Sequence, residues 1–277
     1  MIRKILTLLF VVAVSILITA CGNNESSENI ISVVGSSSVA PLIEAVSENY
    51  LRVKNIEVDV QSVGSSAGIK AAIDGTANIG MSSRNLKKEE KEGLNQYIIA
   101  LDGIAVILHP DNTVKNLSKD QILKIFSGEI TNWKDVGGKD APIVVVSREE
   151  GSGTRGAFEE IIGLEVKDGD LKKTILSKKA IITDGNGSVK QNIALKPNGI
   201  GYISVGSVDN SVQAVFVDGV APSEKNIKEG KYLITRPFIL MTKGAPTTEA
   251  KAFIDFILSP EGQKIVKEHY YITVTDI

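Results

Sequence analysis

Cysteine and histidine are nearly missing from this sequence: of 277 residues, one is cysteine and two are histidine. A single cysteine excludes an intramolecular disulfide framework. His109 in "VILHPDN" and His269 in "VKEHYY" have no acid-serine pattern nearby. Nucleophilic catalysis needs a base within hydrogen-bond reach of its serine, so both histidines read as structural or surface residues. No grouping of His, Cys, Asp or Glu has metal-ligand spacing, and neither a metal nor another cofactor is expected. Basic charge is not in excess either. The formal net charge is −2, which argues against a nucleic-acid partner, since that needs a basic face. Apart from the N-terminus, no apolar run approaches the ~20 residues of a spanning helix.

The N-terminus has the layout of an export signal. Arg3 and Lys4 precede an apolar run from Ile5 to Ile18, followed by "TAC"; the run is too short and wrongly flanked for a stable membrane span. Ile18-Thr19-Ala20-Cys21 resembles a bacterial lipobox, with isoleucine where leucine is usual. In that motif the cysteine is acylated and becomes the new N-terminus, which gives Cys21 a role without a disulfide partner. Residues 1–20 are therefore expected to be a lipoprotein signal peptide. The polar stretch 21–29, "CGNNESSEN", is expected to be a flexible tether. The remaining chain has 257 residues, and without Arg3 and Lys4 its 31 basic side chains fall to 29 against 33 acidic ones, a net charge of −4. An exported protein is expected, anchored to the outer face of the cytoplasmic membrane through lipid on Cys21 alone.

Three stretches share one syntax, in which a strand ends in a Gly-Ser turn that opens a helix. "IISVV" leads through "GSSS" into "VAPLIEAVSENYL", where Leu42, Val46 and Tyr50 recur at helical spacing. "IEVDVQSV" leads through "GSSAG" into "IKAAIDG", with Ile69 and Ile73 one turn apart. "PIVVVS" leads through "REEGSGT" into "RGAFEEII", with Phe158, Ile161 and Ile162 on one face. The first turn of a helix leaves N–H groups unpaired and carries partial positive charge. Glycine admits a ligand to the backbone, and serine or threonine adds a hydroxyl. One such turn is ordinarily an N-cap; three in one chain point to an anion cradle. Arg148 adds a planar fork that matches two oxygens of an oxyanion.

"GSGTRG" (Gly151, Gly153, Gly156) also matches the glycine fingerprint of dinucleotide-binding folds. That fingerprint requires a second strand ending in an acidic residue about 20 positions on. The stretch at that distance, "LEVKDGDLKKTILSKK", is charged and helical in look. None of the Gly-Ser turns has a Walker-type Gly-Lys-Ser/Thr ending, so nucleotide binding is disfavoured.

The remaining chain reads as scaffold. "LSKDQILKIFSGEITNW" opens with a Ser118…Gln121 capping box, places Ile122, Ile125 and Phe126 on one face, stops at Gly128 and anchors the next turn with Trp133. "TDGNGSVKQNIALKPNGIGYISV" reads as turn, helix and strand, and "RPFILMTKG" as a further strand. "TEAKAFIDFILSPEGQKIVKEHYY" gives two amphipathic helices broken at Ser259-Pro260. The alternation makes an α/β protein, and its length favours two lobes over one.

On these residues the chain resembles the phosphate-binding proteins of bacterial phosphate-specific ABC transporters, within the periplasmic-binding-protein superfamily. The similarity runs from "VVGSSSVAPL" through "SVGSSAGIKAAIDGTANIGMSSR", "LKIFSGEITNW" and "SREEGSGTR" to "FIDFILSPEGQKIV". The resemblance implies two α/β lobes joined by a two-segment hinge, with the ligand in the cleft between them. Lobe 1 would comprise 30–105 with 236–277 and lobe 2 would comprise 106–235. The crossings would fall near Ile104 to Leu108 and near Ile234 to Phe238.

The resemblance also implies phosphate contacts at Ser37, Ser38, Ser65, Ser83, Arg148, Ser152, Gly153 and Thr154, with Glu150 bracing the arginine. Permease subunits of an ABC importer are the implied partners, for a monomeric protein that is not an enzyme. Ser83 departs from the family pattern. Many relatives have an aspartate there, which accepts the proton of hydrogen phosphate and repels sulfate; a serine hydroxyl can accept that bond but carries no repelling charge. If an acid takes over that role, Glu150 and Asp184 are the candidates. Arg84, next in sequence, either reaches the ligand or forms a salt bridge elsewhere. Two other readings stay open: a binding protein for sulfate, molybdate or a phosphonate, and an exported serine hydrolase or phosphatase.

Overall fold

The computed structural model describes residues 30–276 apart from residue 170. The expected signal peptide, Cys21 and the tether lie outside the described residues. β1 (Ile30–Gly35) buries Ile31 and Val33 in alternation, as a half-buried strand does. α1 (Ala40–Lys54) has Pro41 in its first turn, where the missing N–H has no helical partner to lose. It buries Leu42, Ile43, Val46 and Tyr50. β2 (Glu57–Ser62), α2 (Ser65–Asp74) and β3 (Ile79–Ser82) come next. One expectation for α2 is corrected: Ile69 is buried, but Ile73 is 39% exposed. The face that α2 buries is instead made by Gly68, Ile69 and Ala72, and the small Gly68 and Ala72 let the helix lie close to β1 and β3.

β4 (Leu94–Leu108) is the long strand of the fold. After it come α3 (Lys119–Ser127), β5 (Val144–Arg148) and α4 (Gly153–Ile162). The expected capping box opens α3: Ser118 Oγ accepts from Gln121 N, and Gln121 Oε1 accepts from Ser118 N. Gly128 ends that helix in the left-handed region (φ 86°). Trp133 is buried and donates from Nε1 to the Asn198 carbonyl.

The charged stretch after α4 is not helical. Glu165–Asp168 and Leu171–Thr174 form an antiparallel hairpin. Gly169 directly after the first strand has φ 64°, the positive φ that glycine supplies at a tight hairpin turn, and this local signal overrides the helix propensity of the lysines.

β6 (Ile181–Thr183), α5 (Gly185–Ala194), β7 (Gly199–Ser204) and β8 (Thr235–Lys243) follow, with α6 (Thr248–Leu258) and α7 (Pro260–Glu268) after them, and the short segments Gln213–Ala214 and Ile272–Thr273 also pair with β4. The sheet order is β2-β1-β3-β8-β4-β7-β5-β6. β4 is shared between two parts. Through Gly103 it pairs antiparallel with β8, and from Ile104 it pairs antiparallel with β7. The expected first crossing, Ile104 to Leu108, thus already lies on the β7 side, and the change of partner falls just before it.

The apolar cores divide in the same way. Ile31, Leu42, Tyr50, Met81, Phe238, Leu240, Phe253 and Ile257 belong to one cluster. Val106, Phe126, Trp133, Phe158, Tyr202 and Ile234 belong to another. Phe158 stacks on Tyr202 with ring centroids 3.9 Å apart, and Phe126 meets Phe158 edge-on at 4.9 Å. Among the described residues, no helix is long and apolar enough to cross a membrane.

Candidate functional site

The carboxyl ends of β1, β2, β3, β5 and β6 point to one place. In open α/β sheets that edge is where ligands are held, because strands end there in loops that start helices. Four of these ends open into helices, and each brings polar side chains to the same buried spot. Ser36 to Ser38 follow β1, Ser65 starts α2, Ser83 follows β3, Arg148 ends β5 and Asn186 lies in the first turn of α5. Ser38, Ser65, Ser83, Arg148, Ser152 and Thr154 are each at most 4% exposed.

The site residues expected from the sequence come together. Arg148 Nη2 donates to Ser37 Oγ at 3.0 Å. Ser38 Oγ and Thr154 Oγ1 are 2.8 Å apart. Ser65 Oγ accepts from Ser83 N at 3.1 Å. Gly153 must be glycine: a Cβ there would lie 2.1 Å from Ser65 Oγ and 2.6 Å from Ser83 Oγ. The N–H groups of Gly153 and Thr154 belong to the first turn of α4, which has no helical acceptors for them. Ser152 Oγ accepts from Arg155 N at 3.2 Å as the N-cap of α4, so the structure gives its hydroxyl a helix-capping role. Arg155 itself is turned away, bonded to Glu159 and to the Arg148 carbonyl.

The expected brace on Arg148 is corrected. Glu149, not Glu150, takes both Nε and Nη2 of Arg148, at 2.7 Å each. Glu150 is exposed. The β5 register turns Arg148 into the site, and the carboxylate of the next residue closes on the guanidinium as a fork. Burial pushes the Glu149 carboxyl up, but the Arg148 hydrogen bonds and charge outweigh it and hold the group below its ordinary value. Arg148 Nη1 also donates to Asn186 Oδ1 at 3.0 Å, and Asn186 Nδ2 donates to Ser38 Oγ at 2.9 Å.

Arg84 does not enter the cluster. It forms a two-point pair with Glu90 at 2.7 and 2.8 Å and donates to Ser66 Oγ. Asp184 is exposed at the start of α5, so neither candidate for a replacement acid faces Ser83.

Sequence reading missed Arg236, Asp102, Asn186 and Ser36. Arg236, at the start of β8, and Asp102, on β4, are both 2% exposed. Asp102 Oδ2 accepts from Arg236 Nε at 3.0 Å and from Nη2 at 2.8 Å, and Oδ1 accepts from Ser204 Oγ at 3.0 Å. The remaining corner of the guanidinium, Nη1, donates to Thr154 Oγ1 at 2.7 Å and to Ser83 Oγ at 3.1 Å. Burial pushes the Asp102 carboxyl up against the opposing charge and hydrogen bonds of Arg236. Arginine keeps its proton in proteins, and the two-point geometry is that of an ion pair. Asn186 did leave a signal, since "IITDGNGSVKQNIAL" repeats the strand-turn-helix syntax a fourth time. Arg236 left none.

A family model described as a PBP superfamily domain matches residues 22–261. The phosphate-binding protein PstS of Bacillus subtilis is 34% identical over 99% of this chain and 95% of its own length. Among solved structures, one from Clostridium perfringens, described as a putative phosphate ABC transporter substrate-binding protein with bound phosphate, is 48% identical. It covers 89% of this chain and 100% of that one, with a TM-score of 0.84. An ABC-type phosphate transport receptor from Vibrio cholerae is 36% identical over 88% of this chain and 99% of its own, with a TM-score of 0.75. The chain is a member of the PBP superfamily, with the two-lobed α/β fold of its structural neighbours. Within that superfamily it belongs to the PstS family of phosphate-binding proteins.

Proposed function

We propose that this protein captures inorganic phosphate between its two lobes and delivers it to the permease subunits of an ABC importer. The observation that carries the reading is the convergence of the Arg148 fork, the hydroxyls of Ser37, Ser38, Ser65, Ser83 and Thr154, and the first turn of α4. Such a set suits a desolvated tetrahedral oxyanion, which needs a donor on each side. The PstS relatives support phosphate as the ligand, and the phosphate transport receptor among the structural neighbours supports the transport role. Binding and release suffice, with no bond made or broken. Neither histidine belongs to the cluster: His109 Nδ1 accepts from Asp111 N, and His269 Nδ1 lies 2.9 Å from the Ile265 carbonyl.

The lobes of this reading are 30–105 with 236–277, and 106–235. Ile272 tempers the division, since it packs with the second core. The hinge opens and closes the cleft, and binding to the closed form shifts the population toward it. Cys21 carries the lipid that holds a monomeric protein outside the cytoplasmic membrane; a Cys21→Ser protein that still fractionates with membranes removes the anchor from the reading. The central test is calorimetric titration with phosphate, sulfate and a phosphonate, beside an assay for phosphate release from a chromogenic ester. Saturable phosphate binding without ester hydrolysis is the expected result. Hydrolysis, or failure to bind phosphate, overturns the proposal.

A further inference from the structure

The Ser83 hydroxyl has both of its acceptor positions filled. Ser36 Oγ donates to it at 2.8 Å and Arg236 Nη1 at 3.1 Å. A hydroxyl has two lone pairs and one proton, so Ser83 has no lone pair left for a ligand and only its proton to give, with Ser65 Oγ at 3.5 Å as the neighbour that competes for that proton. Arg236 Nη1 reaches Thr154 Oγ1 at 2.7 Å as well. The guanidinium is held in this pose from behind. Asp102 takes Nε and Nη2, and its other oxygen is taken by Ser204. Asp102 thus spends its acceptor capacity on Arg236, Ser204 and the Val205 N–H and turns none of it toward Ser83 or Thr154. The charged and titratable groups around Arg236 are Asp102 on β4, Arg148 on β5 and Tyr271 beyond α7. Tyr271 is itself hydrogen-bonded to Ser204. Of the three, Asp102 is the single carboxylate, and it lies on the side of the guanidinium away from Ser83 and Thr154.

We infer that Arg236, clamped by Asp102, is a positioning residue that makes the deep end of the anion site donor-only. The site then takes tetrahedral oxodianions as a class, dianionic phosphate and sulfate alike, with no demand for a proton on the ligand. This rests on the reading of the cluster as an oxyanion site. The guanidinium acts in two ways. Its charge lies one hydroxyl away from the ligand, where low dielectric preserves the attraction. Its N–H also fixes the direction in which the Ser83 and Thr154 protons point.

The test measures phosphate and sulfate affinity on the purified protein across pH, from below to above the second ionisation of phosphate. Wild type is expected to gain phosphate affinity as the dianion forms and to hold it at higher pH, with sulfate competing. A wild-type affinity that falls as the ligand loses its last proton, or indifference to millimolar sulfate, overturns the inference without any variant.

The paired substitution Asp102→Leu with Arg236→Met removes both charges together and so avoids a lone buried ion. It is expected to melt cooperatively and to lose phosphate affinity by on the order of 100-fold. Sulfate should lose more than phosphate, because a freed Ser83 lone pair can accept the phosphate proton. Arg236→Lys, which keeps the charge, should recover part of both affinities. A folded double variant with an unchanged phosphate-to-sulfate ratio makes Arg236 a structural residue only. If wild type binds neither anion, the phosphate-capture reading itself falls, which is a different outcome from that one.

Discussion

Two guanidinium–carboxylate pairs face the same cluster of hydroxyls, and they are built in opposite ways. Arg148 and Glu149 are neighbours in sequence, and the loop that carries them makes the pair by itself. Arg236 and Asp102 are 134 residues apart and meet because β8 lies against β4 in a register that sets them opposite each other. The local pair keeps some contact with solvent, since the Glu149 side chain is 25% exposed; the distant pair keeps almost none, at 1% for each side chain. The difference teaches where each charge gets its stability. Glu149 can be hydrated if its partner is lost, whereas either member of the Arg236 pair would be left as a bare ion in the interior.

That contrast can be broken first at Asp102. Asp102→Asn keeps the shape and leaves the guanidinium under-compensated, and it should cost about 3–5 kcal/mol of folding stability. Denaturant unfolding measures it, and a loss below about 1 kcal/mol would mean that the interior pair is no more fragile than the loop pair. Arg148→Ala comes next, and its effect should fall on ligand rather than fold. Removing the fork should weaken phosphate binding by roughly 2–5 kcal/mol, as read by calorimetry; an affinity within about threefold of wild type would take Arg148 out of the site.

Glu149→Gln should weaken phosphate binding or stability by about 1 kcal/mol, within the range of one charge-assisted bond partly screened by solvent. Because the folded-state value of Glu149 is depressed, its contribution is present above the ordinary glutamate range and is lost as pH falls through the depressed value. Melting curves of wild type and Glu149→Gln should therefore converge in acid and separate toward neutral pH. The smallest effect sharpens the correction made at this loop. Glu150→Gln should shift stability and affinity by no more than about 0.5 kcal/mol, as an exposed substitution does. A larger loss would return the brace to Glu150.

Sequence alone made Arg148 visible and the far pair invisible, for the same reason. Periodicity and turn chemistry are local signals, so "SREEGSGTR" announced its arginine, its glycines and its helix start. They could not rank Glu149 over Glu150, because which carboxylate folds back depends on rotamer and loop geometry. The Ser118 capping box, the stop at Gly128 and the break at Ser259-Pro260 were legible, since a single backbone rule governs each. The Glu165–Thr174 hairpin was misread because the described side chains of its lysine-rich strands are exposed or half-buried and give no period-2 pattern. Arg236 sits alone in "RPFILM", and nothing near it marks it as more than a charged residue at a strand end. Its meaning comes from long-range pairing, which a single sequence does not display.

The sharing of β4 between two halves of the sheet has a consequence for the order in which the chain can acquire structure. The second cluster draws its members from Ile104 to Ile234, with Ile272 as the one late arrival. The first needs Phe238, Leu240, Phe253, Ile257 and Val266 to bury the residues up to Ala100. A chain emerging N-terminus first thus holds its earliest hydrophobic segments without their covering partners until β8 and the helices after it appear. Their closure joins positions as far apart as Asp102 and Arg236, separated by 134 residues, and such non-local pairings form slowly. The middle of the chain should nucleate first and the two ends should dock onto it. The first cluster is thus the last part of the molecule to be covered, although it holds the N-terminal strands.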